Sequence, residues 1–390
     1  MAKSFGGTRS AMRQFILLGL LTAMAFPAWA VKRVTVAQLE QALATISAAH
    51  KPDAEIARQI AGLKLSERIT EATLARLKAH LDTGSQAALA LQLLADQSAF
   101  LDPPASELPA TSVPDDTTQQ RMLEALRNYV AQMLPRLPNL LAARSIHRYD
   151  DSLQELKKGA WPVRLGLHLV DTSSREISVR DERGRLSPAV WQEQSGLISQ
   201  GEFGSTLVMI LADTAKGKVT WSHWEQIAGN PAAVFQYSVP KSASSYEVIG
   251  YQPTAAEYAN LKGGHGVAGI GPQLSSHSSD ITPTITRPGY HGSLWLDPAT
   301  GTVLRITIEA DAKGGAPFQQ ASILVEYGPV QIGDSRFICP VKSVALYEAT
   351  APAQANLSDA PTEWLNIILF TGYHRFGSTI KILTDKPAPQ

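Results

Sequence analysis

The residues best suited to chemistry gather in one stretch, Leu261 to Pro288 (LKGGHGVAGIGPQLSSHSSDITPTITRP). It carries His265, His277 and Asp280, with His291 just beyond. Imidazoles and a carboxylate are zinc-ligand types, but a structural zinc site wants four ligands at regular spacing. These match no metal motif, so the stretch reads as a Gly- and Ser-rich loop and no metal is assigned. Lys262-Gly263-Gly264-His265-Gly266 is not the phosphate-cradling G-x-x-x-x-G-K-[ST] and has no strand-helix frame around it. A second candidate is Val219 to Gln226 (VTWSHWEQ). Strict alternation there places Trp221, His223 and Glu225 on one strand face, with Ser222, Trp224 and Gln226 on the other. Such a strand is either a polar site beside an aromatic platform or, as favoured here, a buried aromatic face backed by a mixed exposed one. The single cysteine, Cys339, lies in the apolar run FICPV. It has no disulfide partner within the chain, and its neighbours argue for a buried, inert thiol. His374, in FTGYHRF, is expected to pack across strands. No G-x-S-x-G elbow and no H-E-x-x-H occurs, and the carboxylates are scattered. No catalytic residue, acid/base pair or cofactor is therefore assigned.

The elements that must position these residues divide the chain in two. Gly289 to Ala310 (GYHGSLWLDPATGTVLRITIEA) reads as a β-hairpin, with Leu294 and Leu296 alternating on one arm and Leu304, Ile306 and Ile308 on the other. A period of two marks a strand with one face on a core. Asp297-Pro298-Ala299-Thr300-Gly301 supplies turn chemistry: Asp at the first position, Pro to preset φ, Gly to accept a positive φ. Further strands are expected at 139–149, 163–170, 176–180, 219–226, 233–239, 246–252, 322–327, 336–347 and 366–382, with a short helix at 205–214. Short links between them imply an antiparallel meander. Before the sheet, apolar residues at helical spacing predict four short helices between Val34 and Phe100, the first capped by Thr35. Leu101 to Thr118 holds four prolines and reads as a linker or a surface-hugging loop. A strong amphipathic helix is expected from Thr118 to Leu134, capped by Asp116 or Thr117.

Composition narrows the class. Of 390 residues, 44% are hydrophobic and 18% charged, enough for a sizeable core. Lys plus Arg number 35 and Asp plus Glu 35, with a pI near 7.1. That balance leaves no electrostatic footprint for nucleic acid. Lys3, Arg9 and Arg13 precede the apolar run Phe15 to Phe26, and Ala28-Trp29-Ala30 follows Pro27. A positive leader, a short apolar run and an A-x-A site predict a secretory signal peptide cut after Ala30. No later run is apolar enough to span a membrane. The mature chain is expected to be periplasmic or extracellular.

Two resemblances bear on the fold. LADQSAFLDPP (Leu94 to Pro104), WSHWEQ (Trp221 to Gln226), YHGSLWLDPATGTVLRI (Tyr290 to Ile306), VEYGPVQIGDSRFICPVKSV (Val325 to Val344) and YHRF (Tyr373 to Phe376) resemble a group of secreted proteins of soil bacteria, acidobacteria in particular. That group brings no known activity. More distantly, a helix followed by a long antiparallel meander with a strand-D-x-x-T-G-strand hairpin resembles the periplasmic lipoprotein-carrier fold, whose relatives include envelope stress sensors. That likeness spans about Thr118 to Ile382 and implies a curved, incomplete barrel around an apolar cavity for acyl chains. No cavity residue follows a motif that can be matched here.

The expected protein is α+β: a signal peptide (1–30), a helical region (31–101), a Pro-rich linker (102–117), and a half-barrel of antiparallel sheet packed on one or two helices (118–386). The expected function is non-catalytic binding of lipid, lipoprotein or envelope peptide, with an envelope protein as a further partner. Leu294, Leu296, Leu304, Ile306 and Ile308 are the candidate ligand-lining residues. The alternatives are a hydrolase or metal-dependent enzyme using the loop 261–291, or a structural envelope interaction module.

Overall fold

The computed structural model describes residues 33–49, 51–137, 139–154, 163–178, 196–197, 199–251, 284–313, 316–350 and 362–375. The leader and the loop residues His265, His277 and Asp280 lie outside the described residues.

The N-terminal layer runs β1 (Arg33–Val34), α1 (Val36–Ala48), α2 (Asp53–Ala61), β2 (Lys64–Leu65), α3 (Glu71–Lys78) and α4 (Gln86–Gln97), with β1 and β2 paired in parallel. Side-chain caps start three of these four helices. Thr35 and Gln38 bond reciprocally, side chain to backbone, at 3.2 and 3.1 Å, a capping box that satisfies two orphan N–H groups. Thr70 and Ser85 cap α3 and α4. Leu39, Ile60, Leu77 and Leu91 meet in a small core of their own.

The Pro-rich stretch hugs the surface. Arg68 N donates to Asp102 O at 2.9 Å, Thr73 Oγ1 donates to Glu107 at 2.9 Å, and Trp224 Nε1 donates to Ser112 O at 2.9 Å. The next helix, α5 (Asp116–Arg136), starts earlier than expected. Asp115 is its N-cap, accepting from Thr118 N at 2.7 Å, so the linker ends two residues sooner.

Nine strands then form one antiparallel sheet: β3 (Leu140–Asp150), β4 (His168–Ser178), β6 (Lys218–Ile227), β7 (Asn230–Val239), β10 (Tyr290–Leu296), β11 (Val303–Ala310), β12 (Phe318–Ile332), β13 (Ser335–Ala349) and β14 (Glu363–Arg375). Their spatial order is β4-β3-β14-β13-β12-β11-β10-β7-β6. The sheet is open, with β4 and β6 at its edges, and the α+β class holds. One strand, β4, replaces the two expected between 163 and 180. Gly196–Leu197 (β5), Val248–Tyr251 (β8) and Thr284–Thr286 (β9) make a separate three-stranded sheet, and Ser205–Thr214 is the expected short helix, α6.

Both faces of the sheet are covered. On the inner face, Met122, Leu126 and Val130 of α5 and Leu207 and Ile210 of α6 pack on Phe235, Leu294, Leu296, Ile306, Ile308 and Val325. On the outer face, Leu93, Ala99 and Phe100 pack on Leu324, Val344, Leu346, Leu365 and Ile367. The expectation of one covered face therefore gives way to a three-layer arrangement. Every residue from Glu363 to Ile368 is buried, the continuous burial of a strand with no solvent side.

The central hairpin forms as expected. Asp297 Oδ1 accepts from Ala299 N and Thr300 N at 3.0 and 2.8 Å, and Gly301 has φ +70°. Gly301 has a second reason to lack a side chain: a Cβ there would lie 2.2 Å from the backbone carbon of Ala125 in α5. One expected alternation fails. Trp295 pairs with Arg305 but Leu296 pairs with Val303, so Leu304 is the extra residue of a β-bulge. Val303 takes its place in the inner core, and Leu304 packs on the outer side with Ala232, Val234 and Trp295.

Candidate functional site

A second bulge builds the candidate site. In β6, Trp221 pairs with Phe235 and His223 with Val234, which leaves Ser222 as the extra residue. The phase of the strand flips there. Trp221 turns inward to stack edge-on with Trp224 (5.0 Å between centroids) and Phe235 (5.4 Å). His223 and Glu225 stay on the outer face, toward α3 and the end of α4. The expected sharing of one face by Trp221, His223 and Glu225 is thus corrected.

On that outer face Glu225 sits between two arginines. Arg68 Nη2 donates to both its oxygens, at 2.8 and 2.9 Å; Trp295 Nε1 donates to Oε2 at 2.8 Å; His223 Nε2 lies 3.3 Å from Oε2. Arg305 Nη1 is 4.0 Å from Oε1, while its Nη2 donates to Glu71 at 3.0 Å and Glu326 at 2.9 Å. The two guanidinium groups lie 5.8 and 5.6 Å from the Trp295 ring centre, within cation–π range. All four central side chains are buried. Burial by itself would raise the Glu225 carboxyl. The hydrogen bond with His223, the charge of Arg68, and the bonds from Trp295 and Arg68 outweigh it and hold the group at about 2. Burial also acts against the Arg68 charge and draws its pKa down, with Glu225 opposing. A guanidinium is basic enough to stay protonated regardless. Glu225 is therefore an ionised carboxylate that ties the helical layer to the sheet.

Beside this network the two layers part. The segment Ala99 to Pro103 and the strands β6, β7, β10 and β11 enclose a cleft of about 490 Å³. Its floor follows the strand register. Lys218, Ser238, His291 and Glu309 are cross-strand neighbours in one row. Thr220, Gln236 and Ser293 make the next, with Thr307 Oγ1 accepting from Ser293 N at 2.9 Å. His223 and Trp295 close the far end, near Arg68. Among the described residues, the side chains of Thr220, Gln236, Ser238, Ser293, Lys218 and Glu309 make no hydrogen bond or ion pair. Burial raises the Glu309 carboxyl; His291 pulls it back and Asp102 adds to the rise. His291 Nδ1 lies 3.1 Å from Asp311 Oδ1.

Ser222 Oγ is 2.9 Å from His223 Nδ1, and His223 Nε2 faces Glu225. Serine, imidazole and carboxylate in a chain are the types of an acyl-transfer triad. Ser222 does not line the cleft, so a ligand held there does not meet its hydroxyl. The two contacts fix the orientation of the His223 ring.

The sequence-derived lining residues lie elsewhere. Leu294, Leu296, Ile306 and Ile308 are each at most 1% exposed, in the packed inner core; Leu304 is behind the sheet from them. Cys339 is buried, and burial pushes its thiol up to about 12. His374 Nε2 lies 3.4 Å from Glu176 on the sheet surface. Among the described residues, no three His, Cys, Asp or Glu side chains gather as a metal site would need, and no helix is long and apolar enough to cross a membrane. Sequence reasoning missed Arg68, Arg305 and the polar rows of the cleft. Arg305 carried a signal, a charge between apolar neighbours in a strong strand. In comparisons with protein-family models, curated proteins and solved structures, nothing matches the chain.

Proposed function

We propose that this chain is an exported, non-catalytic binding protein that holds a small polar ligand in the cleft between its helical layer and the β6–β7–β10–β11 end of its sheet. The observation that carries the reading is the row structure of the cleft floor: side chains from four strands line one concave space, and those of Lys218, Thr220, Gln236, Ser238, Ser293 and Glu309 have their hydrogen-bonding groups uncommitted. A binding site needs a few convergent polar groups on a rigid scaffold, and the buried Arg68–Glu225–Arg305 joint supplies the rigidity on one flank. The carrier resemblance suggests an acyl ligand on the inner face. The four inner side chains Leu294, Leu296, Ile306 and Ile308 are instead engaged by α5 and α6, which favours the outer cleft.

The test is native mass spectrometry of the exported protein beside a Ser238→Trp variant. Ser238 is exposed on the cleft floor, so the indole blocks the cleft without entering the core. A small polar adduct on the unmodified protein that disappears in the variant is the expected result. An acyl lipid retained by both proteins would overturn the cleft reading in favour of a lipid carrier. The same spectra are expected to show a chain starting at Val31; a mass retaining residues 1–30 would remove the export reading.

A further inference from the structure

We infer that the cleft takes a neutral polyhydroxylated ligand, one or two sugar rings in size. The inference rests on the binding reading above and adds the ligand class. The first support is the chemistry of the free groups. The hydroxyls of Thr220, Ser238 and Ser293 and the amide of Gln236 can each both donate and accept. A sugar hydroxyl does the same, so every pairing can be met in either direction.

The second support is what the floor lacks. Strands β6, β7, β10 and β11 are hydrogen-bonded to one another in that order. Of these, β7, β10 and β11 are paired on both sides and only the outer edge of β6 is open, so a peptide cannot add itself as a strand within the floor. Recognition has to pass through side chains.

The third support is charge. The lining carries Lys218 and Arg68 together with Asp102 and Glu309, and Arg68 is already held by Glu225. With that pair set aside, one cation faces two carboxylates, so the cleft offers an anionic ligand nothing to offset its desolvation. Phe100 adds apolar wall for the C–H face of a ring. The volume, about 490 Å³, lies within the range of roughly 300–1,000 Å³ common to small-molecule sites.

The test is calorimetric titration of the mature chain with two sets of probes. One set is neutral: glucose, galactose, N-acetylglucosamine, maltose and cellobiose. The other is charged: glycylglycine, citrate and spermidine. At least one neutral sugar is expected to bind, with an affinity that salt leaves unchanged. The double variant Gln236→Ala/Ser293→Ala, checked for unaltered unfolding, should weaken that binding about tenfold. Salt-dependent binding of a charged probe, with no sugar bound, overturns the ligand class and leaves the cleft reading standing. Binding that persists in Ser238→Trp, or no binding by any probe, overturns both.

Discussion

Glu225→Gln tests the joint that holds the two layers together. The substitution keeps size and shape but removes the negative charge between Arg68 and Arg305, which are 4% and 5% exposed. Deleting one partner of a buried ion pair costs about 3–5 kcal/mol, because the other charge stays buried without compensation. A second route gives a similar figure. The folded carboxyl sits at about 2 against an ordinary 4.5; at about 1.4 kcal/mol per unit, that displacement is worth about 3 kcal/mol. The sign follows from the direction. The folded group is the stronger acid, so its contribution is complete above the unfolded pKa and is lost as pH falls toward the folded one. The assay is urea unfolding of both proteins at stepped pH. The expected gap is about 3 kcal/mol near neutrality, closing below pH 4.5 to about half near pH 3. A gap under about 1 kcal/mol at neutral pH, or one that does not narrow in acid, would refute the assignment of Glu225 as the ionised centre of the joint.

Ile306 is fully buried, so Ile306→Ala is expected to cost about 2–5 kcal/mol in the same assay; a loss well below that range would mean open space on the inner face. Gly301→Ala and Gly333→Ala form a matched pair. Both positions have positive φ, +70° and +59°, but only at Gly301 does a Cβ strike a helix backbone, while nothing lies within 4 Å of one at Gly333. Gly333→Ala should cost about 1 kcal/mol from the left-handed backbone alone, and Gly301→Ala clearly more. Equal losses would contradict the close approach of the turn to α5. Cys339, with its thiol raised to about 12, is expected to resist labelling in the native protein and to react quickly in denaturant; rapid native labelling would show that it is exposed.

Much of the fold was legible because it depends on near neighbours. The Thr35 capping box, the Asp297–Gly301 turn and the α6 segment at 205–214 rest on contacts a few residues apart, and each formed where its residues suggested. The β12 and β13 strands, 15 residues each, ran past their expected ends because pairing with neighbours extends them. The candidate site was half legible. VTWSHWEQ drew attention to His223 and Glu225, but nothing in its composition marks Ser222 as a bulge, so the wrong tryptophan was placed beside them. The same holds for Leu304.

From the sequence alone came the division into a helical part and an antiparallel sheet, the turn chemistry and the buried cysteine. Tertiary structure decided the rest. A one-residue slip in register moves each following side chain to the other face, and it is the fit of neighbouring strands that selects the slip. Arg68 reaches Glu225 across 157 residues of chain, and Glu71 reaches Arg305 across 234. No local pattern records such meetings. They exist because the helical layer docks on the outer face, and that docking turns a polar strand surface into the floor of a cleft.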